Sequence, residues 1–322
     1  MFLALSFLVL TGLSWVPTGA IVGFIGRRGF NLFFFQLICS IIGFLIGGVI
    51  GLVSPATLLP PAGIPASTWT GVIAGSLACG FFNYIMTFFM GRAMERGPNA
   101  IVWAIIQSGL IYPFLMGWLV FGTPMSLSRA IGIVLILASI VLYAVRGGTD
   151  SAAVKGGAGD GGKCGGSVAA WLVPSLLGML FCGTNQCGGN LTSYLPRGQE
   201  FPSYFRAMLT SAGGLAGCAL QLVMDGVRHR LPRRPGLREL AWLVLFSLAL
   251  TVGTYPVTAF LLYPGLDRLQ SLGAGAMAYP VMVASCIIGF FPYGMLVLRE
   301  RFNPIQLFGA VVGVAGIILG CL

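Results

Sequence analysis

Runs of about 18 to 25 continuously apolar residues recur along this chain, each long enough to cross ~30 Å of hydrocarbon as a helix. Ten are read, at 2–25, 32–53, 69–93, 99–121, 127–145, 169–192, 204–223, 240–263, 273–298 and 304–322. They do not alternate with period two, so a β-barrel is excluded, and helices remain as the structure that satisfies its own backbone in lipid. Charge agrees: 8% of residues are charged and 57% hydrophobic, where a soluble surface needs roughly a quarter charged. The expected fold class is an all-α integral membrane protein with ten transmembrane helices.

The pattern is written twice. Shifted by 177 positions, Ser126 falls on Asn303, Gly132 on Gly309 and Ala138 on Ala315, while Glu95-Arg96 falls on Asp267-Arg268 at a shift of 172. The Gly-rich, low-complexity stretch between Arg146 and Ser167 divides the copies. The expected organisation is a first five-helix repeat at 1–146, a cytoplasmic linker at 147–167 and a second five-helix repeat at 168–322. Inside the linker, Gly157–Lys163 matches G-x-x-x-x-G-K, but Cys164 stands where a phosphate loop needs Ser or Thr, and no strand precedes it.

Alternate loops divide Lys and Arg unequally: fourteen fall on one side and four (Arg129, Arg197, Arg206 and Arg268) on the other. The richer side is expected to face the cytoplasm, with both termini outside. An odd number of spans per repeat makes the halves inverted. That design recurs in secondary transporters, with a site between the halves. The net charge of +10 is thereby explained by topology, so no nucleic-acid partner is expected; the partner is the lipid bilayer. The eight cysteines form no C-x-x-C pair and the single histidine, His229, lies in a basic loop, so no cofactor or metal is expected.

Ionisable groups are absent from the centres of the spans. Glu95, Asp267 and Glu300 sit near span ends beside arginines, with Glu95 expected to pair with Arg96 and Asp267 with Arg268. They are candidates for gating or coupling, otherwise for fixing helix ends. Without buried acids or histidines an enzyme is not expected. What the spans do carry is neutral polarity. Amides in apolar helices are costly if they face lipid, and Asn83, Gln107, Asn185, Gln186 and Asn190 concentrate in the third, fourth and sixth spans. Of these, Asn83, Gln107, Asn185 and Asn190, together with Trp15, Tyr84, Tyr255 and Tyr279, outline a cavity for a small neutral or zwitterionic metabolite. Gly188-Gly189 is the expected point for a broken helix.

The closing segment LVLRERFNPIQLFGAVVGVAGIILG resembles the end of an EamA-type repeat of the drug/metabolite transporter superfamily, with Glu300 at its customary acidic position. The first copy, LVFGTPMSLSRAIGIVLILASIVLYA, keeps the pattern but has Thr123 in place of the acid. SWVPTGAIVGFIGRRGFN and GSLACGFFNYIMTFFMGRAMERGPNA are similar to the sugar-uptake branches of that superfamily, the rhamnose–proton symporters among them. The resemblance implies a ten-helix secondary transporter of a bacterial inner membrane, working by alternating access. It also implies a cavity from spans 1, 3, 4, 6, 8 and 9, sugars, nucleosides or amino acids as substrates, and protons as the candidate coupling ion. Two alternatives stay open: an exporter of aromatic or amphipathic compounds, and a non-transporting scaffold or sensor.

Overall fold

A computed structural model describes residues 1–60, 62–122, 126–144, 168–229, 232–300 and 302–321. The linker, the phosphate-loop match and Thr123 lie outside these residues. The described chain is helical, with no strand. The elements are α1 (Phe2–Arg27), α2 (Leu32–Val53), α3 (Ala66–Met94), α4 (Asn99–Gln107), α5 (Ile111–Leu119), α6 (Leu127–Ala144), α7 (Ala169–Tyr194), α8 (Ser203–Val227), α9 (Leu237–Val257), α10 (Tyr263–Ser271), α11 (Ala278–Leu296) and α12 (Pro304–Cys321).

Seven of the described helical stretches are long and apolar enough to cross a membrane, counting α4–α5 as one and α9–α10 as another. Two further apolar helices, α6 and α12, are shorter. In α7 the polar run Gly183–Asn190 dilutes an otherwise spanning length of 26 residues. Large hydrophobics face outward along many helices, such as Leu45 and Val49 on α2 and Val134 and Val141 on α6. That is the surface expected of helices whose solvent is hydrocarbon.

Packing interleaves the two halves of the chain. α3 lies most extensively against α7 and also against α8, α6 against α12, α1 against α11, and α2 against α8 and α9. Small residues set how closely these helices approach. A side chain at Gly188 would strike the carbonyl of Gly75 and the backbone of Cys79, and one at Gly80 would strike the carbonyl of Thr210.

Gly188-Gly189 does not break its helix: α7 is continuous from Ala169 to Tyr194. Glycine serves there as a contact surface for α3, and a close contact can be made with every helical hydrogen bond intact. The irregular backbone lies elsewhere. A 3-10 turn at Ser108–Leu110 joins α4 to α5, and a π-helical turn at Thr258–Leu262 joins α9 to α10. Pro256 and Pro264 bracket the π turn, and each removes an N–H that a regular helix would use four residues back.

Candidate functional site

A cavity of about 300 Å³ lies among α1, α2, α3, α4, α7, α8, α9 and the start of α10. It falls near mid-length of α1 (Trp15, Thr18), α3 (Cys79–Tyr84) and α7 (Cys182–Gln186). Among the described residues no charged side chain lines it.

The amides form its polar face. Asn185 Nδ2 donates to Asn83 Oδ1 at 3.3 Å, joining α7 to α3, and Cys79 Sγ donates to Asn185 Oδ1 at 2.8 Å. The next residue, Gln186, donates its Nε2 to Cys182 Sγ one turn back at 3.3 Å, while its Oε1 is buried with no hydrogen-bond partner. Gln107 closes this corner from α4. An acceptor left buried and unpaired costs about 1–3 kcal/mol, so such a group is a place where a donor on a bound molecule gains most.

Aromatic rings line the remainder. Trp103 is held flat by stacking on Phe290, at 5.2 Å between centroids and 15° between planes, and its Nε1–H donates to Cys286 Sγ at 3.1 Å. Tyr255 OH donates to the carbonyl of Tyr204 at 3.3 Å. Tyr84 OH donates to Gln221 Oε1, and Gln221 Nε2 to Asp225 Oδ2 at 3.2 Å, so a polar chain leads from the cavity toward the end of α8.

Of the site residues expected from sequence, the structure brings Trp15, Asn83, Tyr84, Gln107, Asn185 and Tyr255 onto one cavity. Asn190 and Tyr279 lie outside the lining. Asn190 is buried in α7, and the Tyr279 hydroxyl packs over Gly189 behind the wall. α11 therefore supports the cavity without lining it, whereas α2 and α8 contribute directly through Gln36, Ser40, Thr210 and Ser211. Sequence reading passed over those two helices. Gln36, the lone amide of α2, carried the signal, and its Nε2 donates to the Tyr84 carbonyl at 3.1 Å.

The acidic candidates separate. Asp267 does not pair with Arg268. It lies within α10, where Arg206 of α8 reaches it through two contacts, Nη1 to Oδ1 at 3.1 Å and Nη2 to Oδ2, and Ser193 Oγ donates to Oδ1 at 2.9 Å. Neighbours in sequence on a helix point 100° apart, so a partner from another helix is better placed than Arg268. Glu300 accepts the N–H groups of Asn99 at 2.7 Å and Ala100 at 3.1 Å, capping the start of α4, with Arg27 at 3.6 Å. Burial pushes its carboxyl above the usual range, opposed by the two backbone N–H groups and Arg27. Glu95 follows the end of α3; partial burial raises its carboxyl too, opposed by Arg92 and Arg96.

No family model matches the chain, and no curated protein matches it by sequence. One solved structure, described only as a crystal structure of a protein, superposes with a TM-score of 0.56 at 17% identity. The match covers 98% of this chain and 95% of that one. The whole helical arrangement, not a fragment, is therefore a fold that another protein also adopts.

Proposed function

We propose that the protein is a secondary active transporter that carries a small polar metabolite of the sugar, nucleoside or amino-acid class through this cavity by alternating access. The observation that carries the reading is the cavity itself. It sits at mid-length of apolar helices, has amide and aromatic walls and no charge, and holds an unpaired buried acceptor at Gln186. A carboxylate or phosphate would leave its charge uncompensated there, whereas hydroxyls and amides would find donors and acceptors.

Ten crossings follow if α6, α7 and α12 are added to the seven long apolar stretches. An inverted five-plus-five arrangement is favoured by paired exchanges of partner: α6 against α12, α2 against α8, and α1 against α11 mirrored by α7 against α4 and α5. With the residues that resemble EamA-type repeats, this supports membership of the drug/metabolite transporter superfamily. On the same reading the protein resides in a bacterial inner membrane with both termini outside and protons as candidate coupling ion. The expected binding group is Trp15, Asn83, Tyr84, Gln107, Asn185 and Tyr255, joined by Gln186 and Tyr263.

Five aromatic residues on the lining (Trp15, Tyr84, Trp103, Tyr255 and Tyr263) favour one second reading, export of aromatic or amphipathic compounds. A thermal-shift screen of purified protein against a metabolite library tests both. A hit that stabilises the parent and not Asn83→Ala identifies ligand class and site together. Uptake of the hit into proteoliposomes then tests carriage. Stabilisation by no sugar, nucleoside or amino acid, with stabilisation by aromatic drugs, would favour the second reading over the first.

A further inference from the structure

We infer that Arg206, Asp267 and Tyr263 form a lock that seals one end of the cavity and parts when the cavity opens to that side; the inference rests on the transport reading of this cavity. The first turn of α8, the last turn of α7 and α10 meet at one end of the molecule, opposite to Glu300. Arg206 is 0% exposed there, and its ion pair with Asp267 is reinforced by Ser193 from α7. Phe201, just before α8, and Leu266 and Leu269 of α10 are also fully buried.

The lock touches the cavity directly. The Arg206 guanidinium lies over the Tyr263 ring at 4.3 Å, and Tyr263 is itself part of the lining. Its hydroxyl shares a hydrogen bond of 3.1 Å with Thr210, another lining residue one turn beyond Arg206. A molecule displacing Tyr263 therefore acts on the surface that carries the guanidinium. The π turn Thr258–Leu262 ends immediately before Tyr263, so the helix bearing both Tyr263 and Asp267 joins the wall through its least regular segment.

The choice of an ion pair is informative. Replacing a buried pair by apolar residues of similar size is often neutral or stabilising, so the pair is poor cement. It is suited to a seal that must open, because the buried Arg206 charge regains hydration as water enters past the partly exposed Asp267, whereas an apolar plug loses burial when it separates. Arg206 also has an Nε without a hydrogen-bond partner, which a hydrated open state would satisfy.

Full-length protein in right-side-out and inside-out membrane vesicles tests this without substrate. A membrane-impermeant charged methanethiosulfonate is added, and peptide mass spectrometry reads labelling of Cys39 and Cys79, which line the cavity. Cys187, off the lining, serves as reference. Asp267→Asn is expected to raise cavity labelling from the Asp267 face by about tenfold over the parent, the scale of a shifted two-state equilibrium. The paired change Arg206→Met with Asp267→Leu keeps the seal packed. It is expected to lower that labelling below the parent while thermal stability stays equal or rises. A folded paired variant with parental labelling, or labelling that changes equally from both faces, overturns the lock. Cavity thiols unlabelled from both faces in the parent and every variant would overturn the transport reading, and the lock with it.

Discussion

Gln186 is pulled in two directions. Its Nε2 is engaged by Cys182 while its Oε1 is buried and unpaired. Gln186→Met removes the orphan at nearly constant volume, so the unliganded protein is expected to gain up to about 1 kcal/mol in thermal or denaturant unfolding. Affinity for whatever ligand the screen finds is expected to fall about tenfold or more, read by titration of the same thermal shift. A loss of stability would show that Oε1 already has a use. Glu300 behaves differently. A carboxyl raised by burial contributes its full stability below the ordinary value of 4.5 and loses it as pH rises through the folded value. Glu300→Gln abolishes that term. The melting temperature of the parent relative to Glu300→Gln should therefore fall as pH is raised from about 4 toward 7, and a flat difference would refute the assignment. These residues also mark how much of the site was legible. The amides announced themselves because polar groups are rare in spans. Gln36 and Thr210 did not, because one amide or one threonine in a span looks like any interhelical hydrogen bond. The pairing of Asp267 with Arg206, 61 residues away, was invisible to local reading.

At the scale of elements, the contact between α3 and α7 depends on glycines that leave no room for a side chain. Gly188→Val is expected to cost about 1–3 kcal/mol or more, because what a Cβ meets is the backbone of Gly75 and Cys79, which cannot rotate away. Gly48, whose Cβ position faces open space, should tolerate alanine, and comparing melting temperatures of the two variants checks the claim. Helix positions were readable from apolar run length with most ends correct to a few residues, since an apolar run stops where the polar and Gly- or Pro-rich loop residues begin. The eighth span was the exception. The structure continues from Leu237 through the π turn to Ser271, because the prolines shift the hydrogen-bond register instead of ending the helix. Apolar periodicity carries no information about such a turn. The expected break at Gly188-Gly189 failed for a related reason: glycine in a span has two uses, and only the neighbouring helix decides between them.

At the scale of the whole molecule, the halves are not neighbours so much as interleaved bundles. α3 meets α7 and α8, and α1 meets α11. Coexpressed fragments 1–146 and 168–322 are therefore expected to copurify from detergent-solubilised membranes without the linker; recovery of either one alone would contradict the arrangement. The twofold writing of the sequence points to a doubled architecture, but it does not reveal that α2 and α8 line the cavity and α11 only backs it. That distinction depends on helix rotation, which lipid-facing composition sets weakly. The bridge from Asn185 to Asn83 spans 102 positions, and it has a consequence for biogenesis. While the ribosome is still making the second half, the first half already sits in the bilayer with Asn83 and Gln107 lacking the helix that shields them. Until α7 arrives, those amides need water, a lipid headgroup or an insertase for company. The interval between synthesis of α3 and of α7 is thus when the nascent chain is most exposed to misassembly and quality control.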